Sequence, residues 1–122
     1  MKLNFLAPIV ALLLLISHAT AGPLHTKLVV GSNTQPSFVL VIPAGRAVTI
    51  TSFLSSHPTQ LPPPTISIIG ADPTVEATKV LEAADPANSS AQKDITIAGP
   101  ATIEVGASLN QTALLNYKFV AN

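Results

Sequence analysis

The sequence predicts an all-β fold, an antiparallel β-sandwich of the immunoglobulin-like or jelly-roll-like kind with about seven or eight short strands. Two observations support this fold class. Short runs rich in β-branched residues are interrupted by Pro, Gly, Asn or Asp every ~8–12 residues, which is the usual strand spacing in such folds. The last run, over residues 113–120, also alternates side chains with the two-residue period of a strand.

The first 21 residues have the features of a secretory signal peptide. A basic start precedes an almost unbroken apolar run from Phe5 to Ile16, and small residues follow it up to Ala21. The run is shorter than the ~20 residues that a membrane-spanning helix needs, and Pro8 interrupts it. We therefore expect cleavage after Ala21, a single secreted extracellular domain over residues 22–122, and no membrane insertion after cleavage.

The composition limits the kinds of chemistry and partner. The chain has no cysteine, so its stability must come from apolar packing and sheet hydrogen bonds, and a thiol nucleophile or cysteine metal site is excluded. Charged residues make up 10% of the chain against about 25% in typical domains, and Lys plus Arg equal Asp plus Glu in number. This balance predicts no nucleic-acid partner, and the weakly charged surface favours contact with other surfaces.

The first half of the domain contains four predicted strands. They span Leu24–Val30, Phe38–Ile42, Arg46–Leu54 and Thr65–Ile69. The turn residues Pro43 to Gly45 predict that the second and third strands form a hairpin. The second strand is apolar throughout, which predicts a central rather than an edge position. In the third strand, simple alternation places Val48 and Ile50 on one face and Phe53 on the other.

The second half begins with an ambiguous segment, residues 74–82. Asp72 could cap a helix that starts at Pro73, but the β-branched content of the segment favours a strand, which we expect. A strand over residues 94–98, a turn at Gly99 and Pro100, and a return strand then follow. The final strand is apolar on both faces, which predicts that it lies between two neighbours.

Two segments of the chain resemble each other. LVIPAGRAVTI (residues 40–50) and ITIAGPATIEV (residues 95–105) each consist of a strand, a turn of Pro, Gly and Ala, and a return strand. A duplicated half-domain is one explanation. Two hairpins that use the same turn chemistry independently are the simpler one.

Nothing in the sequence predicts an active site. The domain has two histidines, His25 and His57, and neither lies in a motif for nucleophilic or metal catalysis. We expect no enzyme activity, no cofactor and no resident metal, and a hydrolase is the least favoured alternative. The sequons at Asn88 and Asn110 fall in predicted loops and are candidate glycosylation sites.

The sequence therefore favours a secreted, non-enzymatic structural or interaction module at a cell surface or in an extracellular matrix or filament. Its expected partner is a second copy or another surface protein. The first strand is the candidate self-association strand. Charged side chains or Pro usually prevent an edge strand from pairing with another chain, and this strand has Lys27 alone for that purpose. The residues involved are Leu24, Thr26, Leu28 and Val30. Pairing of this strand inside its own domain is the alternative interpretation.

A small ligand-binding domain is the alternative function. Loops at one end of a sandwich commonly carry binding sites, and the candidates are Ser55–Pro64 and Asp85–Ala91. Calcium would use the acidic residues in or beside loops, Asp72, Asp85 and Asp94. Carbohydrate is less favoured because the chain has no Trp, and its single Tyr, Tyr117, falls on a predicted buried face.

Overall fold

The computed structural model describes residues 22–56, 62–70, 72, 74–87 and 92–121. Within these ranges the chain forms eight β-strands. They are β1 (Leu24–Val30), β2 (Phe38–Ile42), β3 (Arg46–Leu54), β4 (Thr65–Ile69), β5 (Thr78–Glu82), β6 (Ile95–Ala98), β7 (Ala101–Gly106) and β8 (Thr112–Ala121). The all-β prediction is confirmed, and the ambiguous segment forms strand β5 in its second half. None of the described residues belongs to a helix with the length and apolar character needed to cross a membrane.

The strands form two antiparallel sheets of four. Sheet A has the order β1-β8-β3-β6, and sheet B has the order β2-β7-β4-β5. The pairs β1 with β8, β2 with β7, β3 with β6 and β4 with β5 are nested, as in one long antiparallel ribbon that has been rolled up. This order is that of a jelly roll and differs from the immunoglobulin-like order, in which the first two strands share a sheet.

The two predicted hairpins are wrong. β2 lies in sheet B and β3 in sheet A, and β6 and β7 are likewise in different sheets, so each turn carries the chain across the sandwich. The two similar segments instead pair with each other, β2 with β7 and β3 with β6. Their corners meet where the Gly99 amide donates to the Arg46 carbonyl over 2.8 Å. A Cβ at Gly99 would collide with the Pro43 carbonyl oxygen, so this corner requires glycine.

Two placements follow from the sheet order. β8 lies between β1 and β3, as predicted, whereas β2 is an edge strand and not the central strand that its apolar run predicted. β2 keeps Val39 and Val41 on the exposed face of sheet B.

The register between β3 and β8 shifts between Ile50 and Ser52, and this irregularity places Phe53 on the face of Val48 and Ile50. The prediction that Phe53 lies on the opposite face is therefore wrong.

The core lies between the two sheets. Sheet A contributes Val29, Val48, Ile50, Phe53, Ile97, Ala113 and Leu115, and sheet B with its flanking residues contributes Ile42, Ile66, Ala83, Ile103 and Val105. Tyr117 and Phe119 pack against this cluster and are partly buried, on the face that the alternation of β8 predicted. Since the chain has no disulfide, this packing and the sheet hydrogen bonds hold the domain together.

Candidate interaction surface

Strand β1 forms one edge of sheet A. It pairs antiparallel with β8 from Leu24 opposite Lys118 to Val30 opposite Thr112, and the described part of the chain places no strand on its other side. The first strand therefore pairs within its own domain and is at the same time an open edge. An edge strand presents a row of backbone donors and acceptors that another strand can use.

The backbone direction of β1 follows from one hydrogen bond at its end. The Gly31 amide donates to the Gln111 carbonyl over 2.8 Å, so Gly31 directs its backbone groups toward β8. Along an antiparallel strand, successive residues direct their backbone amide and carbonyl alternately toward one side of the strand and toward the other. The odd-numbered residues of β1 thus bond to β8. The even-numbered residues Leu24, Thr26, Leu28 and Val30 direct their amides and carbonyls to the open side.

The same four residues carry their side chains on the outer face of sheet A. Leu24, Leu28 and Val30 are between 57% and 65% exposed, whereas Val29, on the inner face, is buried. Exposed apolar residues are common singly, but here they share a strand with unpaired backbone groups. We call these four residues the β1 edge.

The side chains of Lys27 and His25 lie on the inner face of β1. The Lys27 ammonium is 5.1 Å from the centre of the Phe38 ring in β2, and His25 stacks on Tyr117 with ring centres 5.1 Å apart. The contact between Lys27 and Phe38 also shows that β1 and β2 lie on the same side of the sandwich. Because Lys27 points inward, its charge does not cover the apolar outer face of the β1 edge.

A row of leucines crosses the outer face of sheet A to this edge. Leu54 of β3 lies opposite Leu114 of β8, and Leu114 lies opposite Leu28 of β1. The first two are partly buried, while Leu28 is exposed. Cross-strand neighbours of this kind contact one another on one face of a sheet. We call Leu54, Leu114 and Leu28 the leucine row.

The leucine row forms one wall of a shallow hollow of about 250 Å³. The other lining residues are Ser55, Ser56, Pro86 and Thr112. Both loops predicted to bind ligand thus contribute here, the first through its two serines and the second through Pro86. The lining contains hydroxyl groups and apolar side chains without a carboxylate, which suits an apolar side chain better than a metal ion.

The edges on the opposite side of the sandwich differ from β1. β6 has four residues, and β5 has five. β5 carries an ion pair between Lys79 and Glu82, with Nζ and Oε1 2.7 Å apart. Short strands and charged side chains are the usual protection of a sheet edge. Among the four edges that the structure describes, β1 and β2 thus have the exposed apolar side chains.

Two of the three proposed calcium ligands, Asp72 and Asp85, are engaged in local turns. The carboxylate of Asp72 accepts from the hydroxyl and the amide of Thr74, and these two hydrogen bonds lower the pKa of Asp72. The carboxylate of Asp85 accepts from the Ala87 amide over 2.9 Å. No group of three His, Cys, Asp or Glu side chains in the described ranges is arranged to hold a metal ion.

Among the remaining predicted site residues, the structure describes Asn110 and His25. Asn110 is exposed in the turn before β8, with a φ of 68°, so its side chain is accessible to modification. Asn88 and His57 lie outside the described residues. His25 covers one side of the Tyr117 ring, which removes that side as a stacking surface for a sugar.

A second hollow, of about 320 Å³, lies on the outer face of sheet B and was not predicted from the sequence. Gln35, Thr65, Ser67 and Glu104 are among its polar lining residues. Gly106 forms part of the floor, because a Cβ there would lie 3.1 Å from the Gln35 side-chain oxygen. No sequence motif could indicate this hollow, since its residues come from two strands and a loop that the fold brings together.

No protein-family model, curated protein or solved structure matches this chain.

Proposed function

We propose that the protein is a secreted, extracellular and non-enzymatic interaction module that binds a second copy of itself by strand addition at β1. One observation carries this proposal: three of the four residues whose backbone groups face the open side, Leu24, Leu28 and Val30, also have exposed apolar side chains. In strand addition, main-chain hydrogen bonds supply affinity and alternate side chains supply specificity.

The chemistry of the β1 edge suits a copy of the same strand. A β-strand can pair with itself antiparallel about a two-fold axis, which makes the surface self-complementary. The outer face of β1 itself offers Leu, Val and Thr side chains and no charged one, so both partners remove apolar surface from water, at about 25 cal/mol per Å². The low charge content of the chain weakens the repulsion between copies.

A charge placed on the β1 edge tests the proposal. Leu28→Lys is expected to weaken self-association at least about tenfold, since it places like charges in the interface and removes apolar contact. Val75→Lys is the matched control, because Val75 is 59% exposed in the loop before β5, against 57% for Leu28. Both substitutions are at exposed sites, so their effect on folding should be small, about 0.5 kcal/mol.

Sedimentation velocity of the purified chain and both variants, over a wide range of concentrations, provides the measurement. The proposal expects a concentration-dependent oligomer for the wild type and Val75→Lys, and a shift to monomer for Leu28→Lys. A wild type that stays monomeric at every concentration would overturn it, as would equal association of all three proteins.

A further inference from the structure

We infer that two copies join along the whole side of the sandwich formed by β1 and β2, about a single two-fold axis that runs midway between their two Leu28 residues. An axis through a residue means here the axis that places this residue opposite its own copy. This inference rests on the proposed function and specifies its geometry. It fixes which residues lie opposite each other between the copies, and it adds a second strand to the interface.

Among axes at Thr26, Lys27 and Leu28, the residues that each choice brings together favour the one at Leu28. An axis through Lys27 places this lysine opposite its own copy, and like charges in direct opposition are destabilising. An axis through Thr26 places Thr26 opposite itself and Lys27 opposite His25. An axis through Leu28 places Leu28 opposite itself, and Lys27 then lies opposite the uncharged Val29.

The axis through Leu28 also continues the leucine row. Within one copy the row runs from Leu54 through Leu114 to Leu28, where the sheet ends. With Leu28 opposite Leu28, the row continues into the second copy in the reverse order, through its Leu114 to its Leu54. The wall of the hollow at Leu28 then adjoins Leu28 of the second copy instead of solvent. Neither of the other axes joins the two rows at their ends.

Strand β2 belongs to the same interface because of where it lies. The contact between Lys27 and Phe38 places β2 across from β1, and an axis perpendicular to the sheets that joins two β1 strands also brings two β2 strands side by side. β2 exposes Val39 and Val41 there, with Val41 at 64%. A stable interface buries about 800 Å² per partner, which is more than a single strand edge offers. Both edge strands are therefore needed.

The absence of cysteine makes the geometry directly testable. Single-cysteine variants Thr26→Cys, Lys27→Cys and Leu28→Cys place one thiol per copy, and oxidised dimers are then quantified on non-reducing gels. A disulfide needs Cα atoms about 4.4–6.8 Å apart. With the axis through Leu28, the two Leu28 positions lie about 5.5 Å apart, whereas each step along β1 moves the two equivalent positions about 6.8 Å further along the strands.

Leu28→Cys is therefore expected to form the dimer at least about tenfold faster than the other two variants. Fastest cross-linking of Thr26→Cys or Lys27→Cys would overturn the inferred axis. Association of the wild type without cross-linking at any of the three positions would overturn it as well, while leaving association itself established. Circular dichroism of the reduced proteins checks that each variant is folded.

Val41→Lys tests the part played by β2, with Val75→Lys again as the control. If β2 lies in the interface, Val41→Lys weakens association by several-fold, less than Leu28→Lys does. If Val41→Lys associates like the control, the interface is confined to β1 and the two-strand geometry is wrong. If the wild type does not associate at all, the proposed function fails and this geometry fails with it.

Discussion

Strands β1 and β3 lie in the same sheet, and both pair with β8, but they are surrounded very differently. β3 has a neighbour on each side, and consecutive residues on both of its faces are buried. These are Ala47, Val48, Thr49 and Ile50. β1 has a neighbour on one side and buries Val29 alone among its seven residues. Thr49 also shares a hydrogen bond with Thr96 of β6, with oxygens 2.9 Å apart.

This difference separates residues that stabilise the fold from residues that are available for an interface. Because β3 contacts β8, β6 and the core, its side chains are fixed by several elements at once. Leu24, Leu28 and Val30 of β1 are each more than half exposed, so changes there should alter binding more than stability. The exposed residues of β1 can therefore form an interface while the buried Val29 packs the strand against the core.

Phe53→Ala should give the largest loss of stability in this comparison. Phe53 is fully buried at the centre of the core, and removing a buried phenyl ring costs about 3–5 kcal/mol through lost burial and the remaining cavity. Urea unfolding followed by circular dichroism measures the change. A loss under about 1 kcal/mol would show that β3 does not hold the core as its burial indicates.

Val29→Ala should cost less, about 1–3 kcal/mol, because a smaller buried side chain is shortened at the edge of the core. Its effect should also be local. Hydrogen exchange at the β1 amides bonded to β8 should accelerate more than exchange in β3. Equal acceleration in both strands would contradict the view that β1 is attached to the domain mainly through this residue.

The sequence predicted the strands well because strand formation depends on local features. β-branched runs and Pro, Gly or Asn breaks are visible without knowing the partners, so the bounds of β1 to β4 agree with the structure. Sheet membership depends instead on how the chain turns at each corner. The Pro43 to Gly45 turn has the residues of a hairpin, yet it crosses between sheets. Composition alone does not distinguish these two geometries.

The residues of the β1 edge were predicted because their alternation is also a local feature, whereas the leucine row was not predicted. The alternation of Leu24, Thr26, Leu28 and Val30 is local, and these residues do lie together on an open edge. Leu54 and Leu114 join them only through the register of three strands, which one sequence does not reveal. Phe53 shows the same limit, since one irregularity in β3 reverses the face that simple alternation assigns to it.

Lys27→Ala should destabilise the fold less than Val29→Ala does, and it should strengthen association. The exposed contact between its ammonium and the Phe38 ring contributes about 0.5–1 kcal/mol, so the folded state should weaken by no more than this. Association should strengthen, up to about fivefold, because the change removes a charge next to the pairing edge. Lys93→Ala is the matched control, since it removes an equal charge from an exposed position just before β6, the opposite edge of sheet A. Sedimentation velocity compares the two. If both variants strengthen association equally, the effect is one of net charge, and Lys27 does not act at the edge itself.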